Sequence, residues 1–263
     1  MQKKQTNLLK DDLCGKVVLV TGGGSGIGAA IAEAFGRHGA KVGIHHYRSD
    51  GQAVSALVER IRVAGGEAFA IQMDFSTSLA VAGTIEQVVA HFGRLDILLN
   101  NAGSMVARRH LEALDDDFIT QVFDLNARSV VTACRTALPH FINQGGGCII
   151  NVSSISALTG GSPGSSVYSA SKAFVSTLTR SLARELADRH IRVNAISPGT
   201  IDTAFHAQFS SREKLEKTRS GIPMLRLGEA IDCAGTALYL ACDNLSGYVT
   251  GQVIEVNGGQ LMV

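Results

Sequence analysis

What the 263-residue sequence lacks narrows its chemistry first. Charge of one sign is missing: 24 Lys and Arg stand against 23 Asp and Glu, a formal net charge of +1. Neither a nucleic acid nor an acidic membrane surface is therefore expected as a partner. No apolar run approaches the roughly 20 residues that a membrane-spanning helix requires. Met1 to Asp12 is polar and lysine-bearing, without the apolar stretch of a signal peptide, and reads as a short lead-in. Five cysteines, an odd number at irregular spacing, make no disulfide framework. Cys134, in a helical pattern, and Cys148, in an apolar run, are expected as buried thiols, with a reducing cytoplasm as the compartment. None of the eight histidines has metal-ligand spacing, and the neighbours His45 and His46 point to opposite faces of a strand, so no metal is expected.

What is present is a repeated alternation. Lys16 to Thr21 is a continuous apolar run that ends on a glycine cluster, the pattern of a strand and a tight turn. Ile27, Ala30, Ile31, Ala34 and Phe35 then follow at the spacing of an amphipathic helix. Further strands are expected over 41–46, 67–73, 95–99, 148–152, 191–196 and 252–256. Helices are expected between them, including one long helix over about 115–143 and another over 167–189. Strands apolar on both faces, separated by helices, predict a parallel sheet covered on each side. With right-handed crossovers this is an α/β, doubly wound Rossmann-type fold. No Pro/Gly/Ser-rich linker or break in composition divides 13–263, so one domain is expected. The irregular, charged stretch from about Thr203 to Gly221 reads as a flap over a site, within 203–222.

Between the first strand and the first helix lies Thr21-Gly22-Gly23-Gly24-Ser25-Gly26-Ile27-Gly28. Glycines permit close backbone approach, and a helix N-terminus offers free N–H groups to a pyrophosphate. A glycine-rich turn without a ligand is the plainer alternative. A dinucleotide fold usually places an acid about 20 residues on, at the end of the second strand, to bind the ribose hydroxyls. Here that strand ends Ile44-His45-His46-Tyr47-Arg48, with no carboxylate before Asp50. Arg48 suits a 2′-phosphate and favours NADP, with NAD possible if Arg48 is only a solvated loop arginine.

Together with Asn100-Asn101-Ala102-Gly103 and Tyr168-x-x-x-Lys172, these features closely resemble the short-chain dehydrogenase/reductase family. Arg192-Val-Asn194 leading to Pro198-Gly199, and Asn257-Gly-Gly259, resemble two further family signatures. The resemblance runs from about Leu13 to the C-terminus. It implies a sheet of about seven strands and a homotetramer. It also implies cofactor contacts from Gly22, Ser25, Gly26, Ile27, Gly28, Tyr47, Arg48, Asp74, Asn101, Ala102 and Gly103. Tyr168, Lys172, Pro198, Gly199, Ile201 and Thr203 complete that set, and Asn100 would line the cleft.

The chemistry follows from the residues as well. Four apart on a helix, Tyr168 and Lys172 share a face. A cation within 4–6 Å lowers a phenol's pKa by about 1–3 units, towards the range useful for proton transfer. By resemblance Lys172 also holds the nicotinamide ribose. Ser154, rather than Ser153, would steady the substrate oxygen, the alternative being a serine that caps the strand end. The spacing to Tyr168 is one residue longer than the family leads one to expect, so the Gly/Ser-rich loop 155–166 carries a one-residue insertion. Asn126 would complete the catalytic set as a proton relay, or else is a buried packing residue. Met105, Leu158, Ser165 and the flap around Phe205 and Phe209 are expected to line the pocket. A carbonyl or 3-oxoacyl reductase is the leading reading. A sugar or polyol dehydrogenase is the alternative, because His46-Tyr-Arg-Ser resembles glucose dehydrogenases of the family; a catalytically silent cofactor-binding regulator is the remote one. The substrate is a small carbonyl or alcohol in each enzymatic reading.

Overall fold

Residues 8–263 are described by the computed structural model, and among them seven strands form one parallel sheet. The strands are β1 Val17–Val20, β2 Lys41–His46, β3 Glu67–Gln72, β4 Ile97–Asn100, β5 Gly147–Val152, β6 Ile191–Pro198 and β7 Val253–Val256. They lie in the order β3-β2-β1-β4-β5-β6-β7. Their two-sided apolar character is used on both faces. In β1, Val18 and Val20 enter one core while Val17 and Leu19 enter the other. β5 divides in the same way, with Cys148, Ile150 and Val152 on one side and Ile149 on the other. This is the alternation of Cβ direction along a strand, with both faces dry.

Helices Gly26–Arg37, Gly51–Val63 and Ala230–Ala241 cover the first face, through residues such as Ile31, Phe35, Leu57, Ile61 and Leu238. Helices Ser78–Phe92, Ser129–Asn143 and Ser166–Leu186 cover the second with Val81, Ile85, Val88, Phe141, Val175 and Leu186. Each fully buried side chain of this size contributes about 1.5–3 kcal/mol relative to exposure. Helix starts are set by Asp50, Thr77, Asp115 and Ser211, whose side chains accept backbone N–H groups of the first turn. The strand order reverses beside β1, which pairs with β2 on one side and β4 on the other. The crevice at the C-terminal ends of β1 and β4 is where such sheets bind ligands.

Several expectations are corrected. The stretch read as one helix over 115–143 is an α-helix Asp116–Phe123, a π-helical turn Asp124–Arg128 and a second α-helix Ser129–Asn143. Asn126 accounts for the interruption: its side-chain amide donates to the Val122 carbonyl and the Ser104 carbonyl, both at 2.8 Å. A side chain that takes a helix carbonyl competes with the regular ladder. The stretch expected as an irregular flap is two short helices, Ala204–Phe209 and Arg212–Gly221. The lead-in is only partly outside the described residues. Leu8–Leu13 is helical, and the Asp12 carboxylate accepts the backbone N–H of Asn244. Within the loop 155–166, Ser156–Thr159 forms one short helical turn. The remaining shifts are of one or two residues at element ends, where fraying decides the boundary. Cys134 and Cys148 are buried free thiols.

Candidate active site

The glycine loop is fastened to β4 before any ligand is considered. The Thr21 hydroxyl accepts the N–H groups of Asn101 and Ala102, each at 3.0 Å. The Asn101 amide donates to the carbonyls of Thr21 and Gly22, also at 3.0 Å. Gly22 has φ +64°, and a Cβ there would lie 2.9 Å from the Ala102 Cα. A Cβ on Gly28 would overlap the Gly22 carbonyl oxygen. Gly28 therefore does not line the cleft; it lets the first helix approach the loop. Behind the loop, His45 was not singled out by the sequence for this role. Its Nδ1 accepts the Gly22 N–H at 3.1 Å, which leaves Nε2 to donate to the Met73 carbonyl at 3.0 Å. The ring stacks on Phe75 with centroids 3.7 Å apart. Burial pushes its pKa down to about 4, so the ring stays a neutral acceptor.

A cleft of about 530 Å³ opens over this loop. Of the residues expected at a cofactor, Gly22, Ser25, Gly26, Ile27, Tyr47, Asn101, Ala102, Gly103, Tyr168, Lys172, Pro198, Gly199, Ile201 and Thr203 line it. The helix Gly26–Arg37 starts at Ser25 with no side chain capping its first turn. Its free N–H groups and the bare glycine backbone fit a pyrophosphate. Besides Gly28, five expected positions lie elsewhere. Arg48 is turned onto the Tyr47 ring, its guanidinium carbon 4.9 Å from the centroid, outside the lining. The Asp74 carboxylate accepts the Ser76 N–H at 3.0 Å and closes a turn. Asn100 is buried in the sheet, donating to Asn151 at 2.9 Å. Leu158 is 56% exposed and, with Phe209, is absent from the pocket lining, whereas Met105, Ser165 and Phe205 are part of it. His46 and Ser49, not expected as cleft residues, line the cleft at the end of β2, and the His46 Nδ1 is enclosed without a partner among the described residues.

The two serines after β5 separate by their partners. Ser153 is buried, its hydroxyl donating to the Lys172 carbonyl at 3.0 Å and lying 2.6 Å from the Ser176 hydroxyl. Ser154 faces the cleft, hydrogen-bonded to Tyr168 and 2.7 Å from the Ser156 hydroxyl. Lys172 is 4% exposed and donates to the Val152 carbonyl at 2.8 Å, with its ammonium 5.8 Å from the Tyr168 ring centroid. Asn126 lies behind the cleft, its Oδ1 accepting the Ser104 N–H at 3.1 Å. Gly103 is where Asn126 and Lys172 come together: a Cβ there would sit 2.6 Å from Asn126 Oδ1 and 3.2 Å from Lys172 Nζ.

The electrostatics differ from the sequence expectation. Burial dominates both partners: Tyr168 is pushed up to about 12, against a smaller lowering by its Ser154 hydrogen bond, and Lys172 is pushed down to about 8. Removing a group from water disfavours its charged form, and that effect exceeds any pull of the ammonium on the phenol. At neutral pH the phenol is a proton donor and the lysine is largely charged.

A family model described as enoyl-(acyl carrier protein) reductase matches residues 22–260. The chain is 41% identical over 258 residues to 3beta-hydroxysteroid dehydrogenase 1 of Eggerthella lenta, covering 96% of each. It is 39% identical to the 3-oxoacyl-(acyl-carrier-protein) reductase FabG of Staphylococcus aureus, covering 94% of this chain and 98% of that one. Among solved structures, the NADH-dependent reductase A1-R′ responsible for alginate metabolism superposes with TM-score 0.88 at 34% identity, over 96% of this chain and 99% of that one. A 7 alpha-hydroxysteroid dehydrogenase complexed with NADH and 7-oxo glycochenodeoxycholic acid gives TM-score 0.90 at 30% identity, over 97% and 98% of the two chains. The chain belongs to the short-chain dehydrogenase/reductase family and is an oxidoreductase acting on hydroxyl or carbonyl groups.

Proposed function

We propose that the protein reduces a ketone to a secondary alcohol with NADPH, and that Tyr168 delivers the proton. The observation that carries this reading is the phenol itself: it is hydrogen-bonded to Ser154 in the cleft and stays protonated at neutral pH. A donor in that state suits an alkoxide that forms as a hydride arrives; oxidation would first require its deprotonation. The nicotinamide, when bound, supplies the hydride. Ser154 holds the substrate oxygen, Lys172 anchors the ribose and keeps positive charge beside the developing alkoxide, and Asn126 fixes the loop at Ser104 and stands next to Lys172 for proton relay. The polyol dehydrogenase reading runs the same steps backwards at higher pH. We further infer a cytoplasmic homotetramer from the family's usual assembly and the free thiols.

The preference for NADPH is supported by charge. Among the described residues no Asp or Glu lines the cleft, and His46 occupies the end of β2 where an acid would bind ribose hydroxyls. Arg48, two residues on, is exposed and would hold a 2′-phosphate only after leaving Tyr47. Titration of the purified protein with NADPH and NADH, followed by cofactor fluorescence, tests this. NADPH should bind more tightly, and Arg48→Ala should weaken NADPH by about 10-fold, the loss of one charged hydrogen bond, while NADH barely moves. Equal effects on the two cofactors would remove Arg48 from phosphate recognition.

A further inference from the structure

Among the described residues, three cationic side chains, Arg108, Lys172 and Lys214, line the cleft, and no carboxylate joins them. Lys172 belongs to the reaction just described; Arg108 and Lys214 do not. Arg108 follows β4 and is fixed by the chain around it. Its Nε donates to the Phe209 carbonyl at 2.8 Å and its Nη1 to the Pro163 carbonyl at 3.2 Å. Those two bonds orient the fork, and among the described residues its other donors have no acceptor. Lys214 stands on the flap helix Arg212–Gly221, whose half-buried residues Lys214, Leu215 and Thr218 all turn to the cleft. Neither cation has an ion-pair partner among the described residues, although Arg219 on the same helix is paired with Glu216. Burial, and then the Arg108 guanidinium, hold the Lys214 ammonium below the ordinary lysine range, so the two charges act on each other.

Two like charges brought together in a cleft without a counter-charge raise its energy, and an anion entering between them relieves that cost. The cofactor does not fill this role in the proposed arrangement. Its phosphates would lie at the glycine loop and beyond β2, whereas Arg108 is anchored to the segments carrying Pro163 and Phe209. These flank Tyr168 through the loop after Ser154 and through Phe205, whose ring is 5.8 Å from that of Tyr168.

We propose that Arg108 and Lys214 form a carboxylate subsite, so that the substrate is a keto acid whose carbonyl meets Tyr168 while its acid group lies between these two cations. This rests on the reductase reading and narrows its substrate class. A guanidinium fork matches a carboxylate in shape, and the Lys214 ammonium on its flexible stem would meet it from the helix Arg212–Gly221.

The test uses keto acids from 4-oxopentanoate to 7-oxooctanoate, each beside its methyl ester, binding to protein saturated with oxidised cofactor and measured by calorimetry. At least one acid should bind at least about 10-fold more tightly than its ester, the worth of a charge-assisted contact. That advantage should shrink to within about 3-fold in Lys214→Gln. Arg108→Gln should do the same, but it also removes two bonds to the chain, so Lys214→Gln is the deciding variant. Esters binding as tightly as acids, acids failing to bind, or an unchanged preference in Lys214→Gln would each overturn the subsite. Reduction is then followed separately with NADPH and NADH. Acids that bind with the expected preference and are not reduced would contradict the reductase reading and leave the subsite standing. Esters bound and reduced as well as acids would do the reverse.

Discussion

Tyr168→Phe should lower turnover by about 10²–10⁴-fold, equivalent to about 3–5 kcal/mol of transition-state stabilisation, while cofactor binding persists. The substitution removes one oxygen from a side chain whose other surroundings are apolar or belong to neighbouring groups. The ring remains beside Phe205 and beneath the Lys172 ammonium. What disappears is the hydroxyl bonded to Ser154 and the proton it holds. Steady-state rates with a saturating ketone, together with a cofactor titration of the same preparation, separate the two effects. Near wild-type turnover would remove Tyr168 from the chemistry. Loss of cofactor binding in parallel would show that the hydroxyl serves structure first.

Gly28→Ala should damage both folding and cofactor binding, although it adds a single methyl group. That methyl would overlap the Gly22 carbonyl oxygen, which already accepts the Asn101 amide. The helix must move away from the loop, or the fastening of β1 to β4 must open. Overpacking of this kind costs about 1–3 kcal/mol, and in a large domain each 1 kcal/mol lowers Tm by about 2–4 °C. Because the displaced backbone is the part proposed to meet the pyrophosphate, stabilisation of Tm by added cofactor should also be lost. Gly83→Ala is the control. Gly83 lies within the helix Ser78–Phe92 with nothing within 4 Å of its would-be Cβ, so alanine there should be neutral or stabilising by up to about 1 kcal/mol. Thermal melts of both variants with and without NADPH decide the matter; two glycines with equal effects would contradict the close approach at Gly28.

These contrasts show where sequence is informative and where it is not. The strands were readable because apolar residues on both faces of β1 and β5 leave no other burial possible. The glycine loop was readable because its turn falls between a strand and a helix, and Tyr168 with Lys172 because helical spacing puts them on one face and the accompanying family motifs single the pair out. The π-helical turn at Asn126 was hidden: Phe118, Val122, Val130 and Ala133 suit a continuous helix, and one extra residue in a turn leaves that pattern nearly unchanged. The roles of His45, His46 and Arg108 depend on partners far away in the chain, at Gly22, at the cleft and at Phe209. The flap helix did carry a local signal, since Ser211 caps it through the Lys214 N–H, but its charged sequence offers no apolar stripe to reveal a periodicity. The direction of the Tyr168 pKa was missed because spacing reports the neighbouring charge and not the loss of water.

The central claim is that hydride passes from nicotinamide to a carbonyl carbon in this cleft while Tyr168 supplies the proton. The most direct measurement is reduction of a panel of ketones, keto acids and oxoacyl thioesters with NADPH deuterated at the transferring C4 position, with the products analysed by mass spectrometry and NMR. Deuterium on the new carbinol carbon, and none on the hydroxyl after exchange in ordinary water, is the predicted result. Product without deuterium at that carbon, or a panel that oxidises neither NADPH nor NADH, would contradict it.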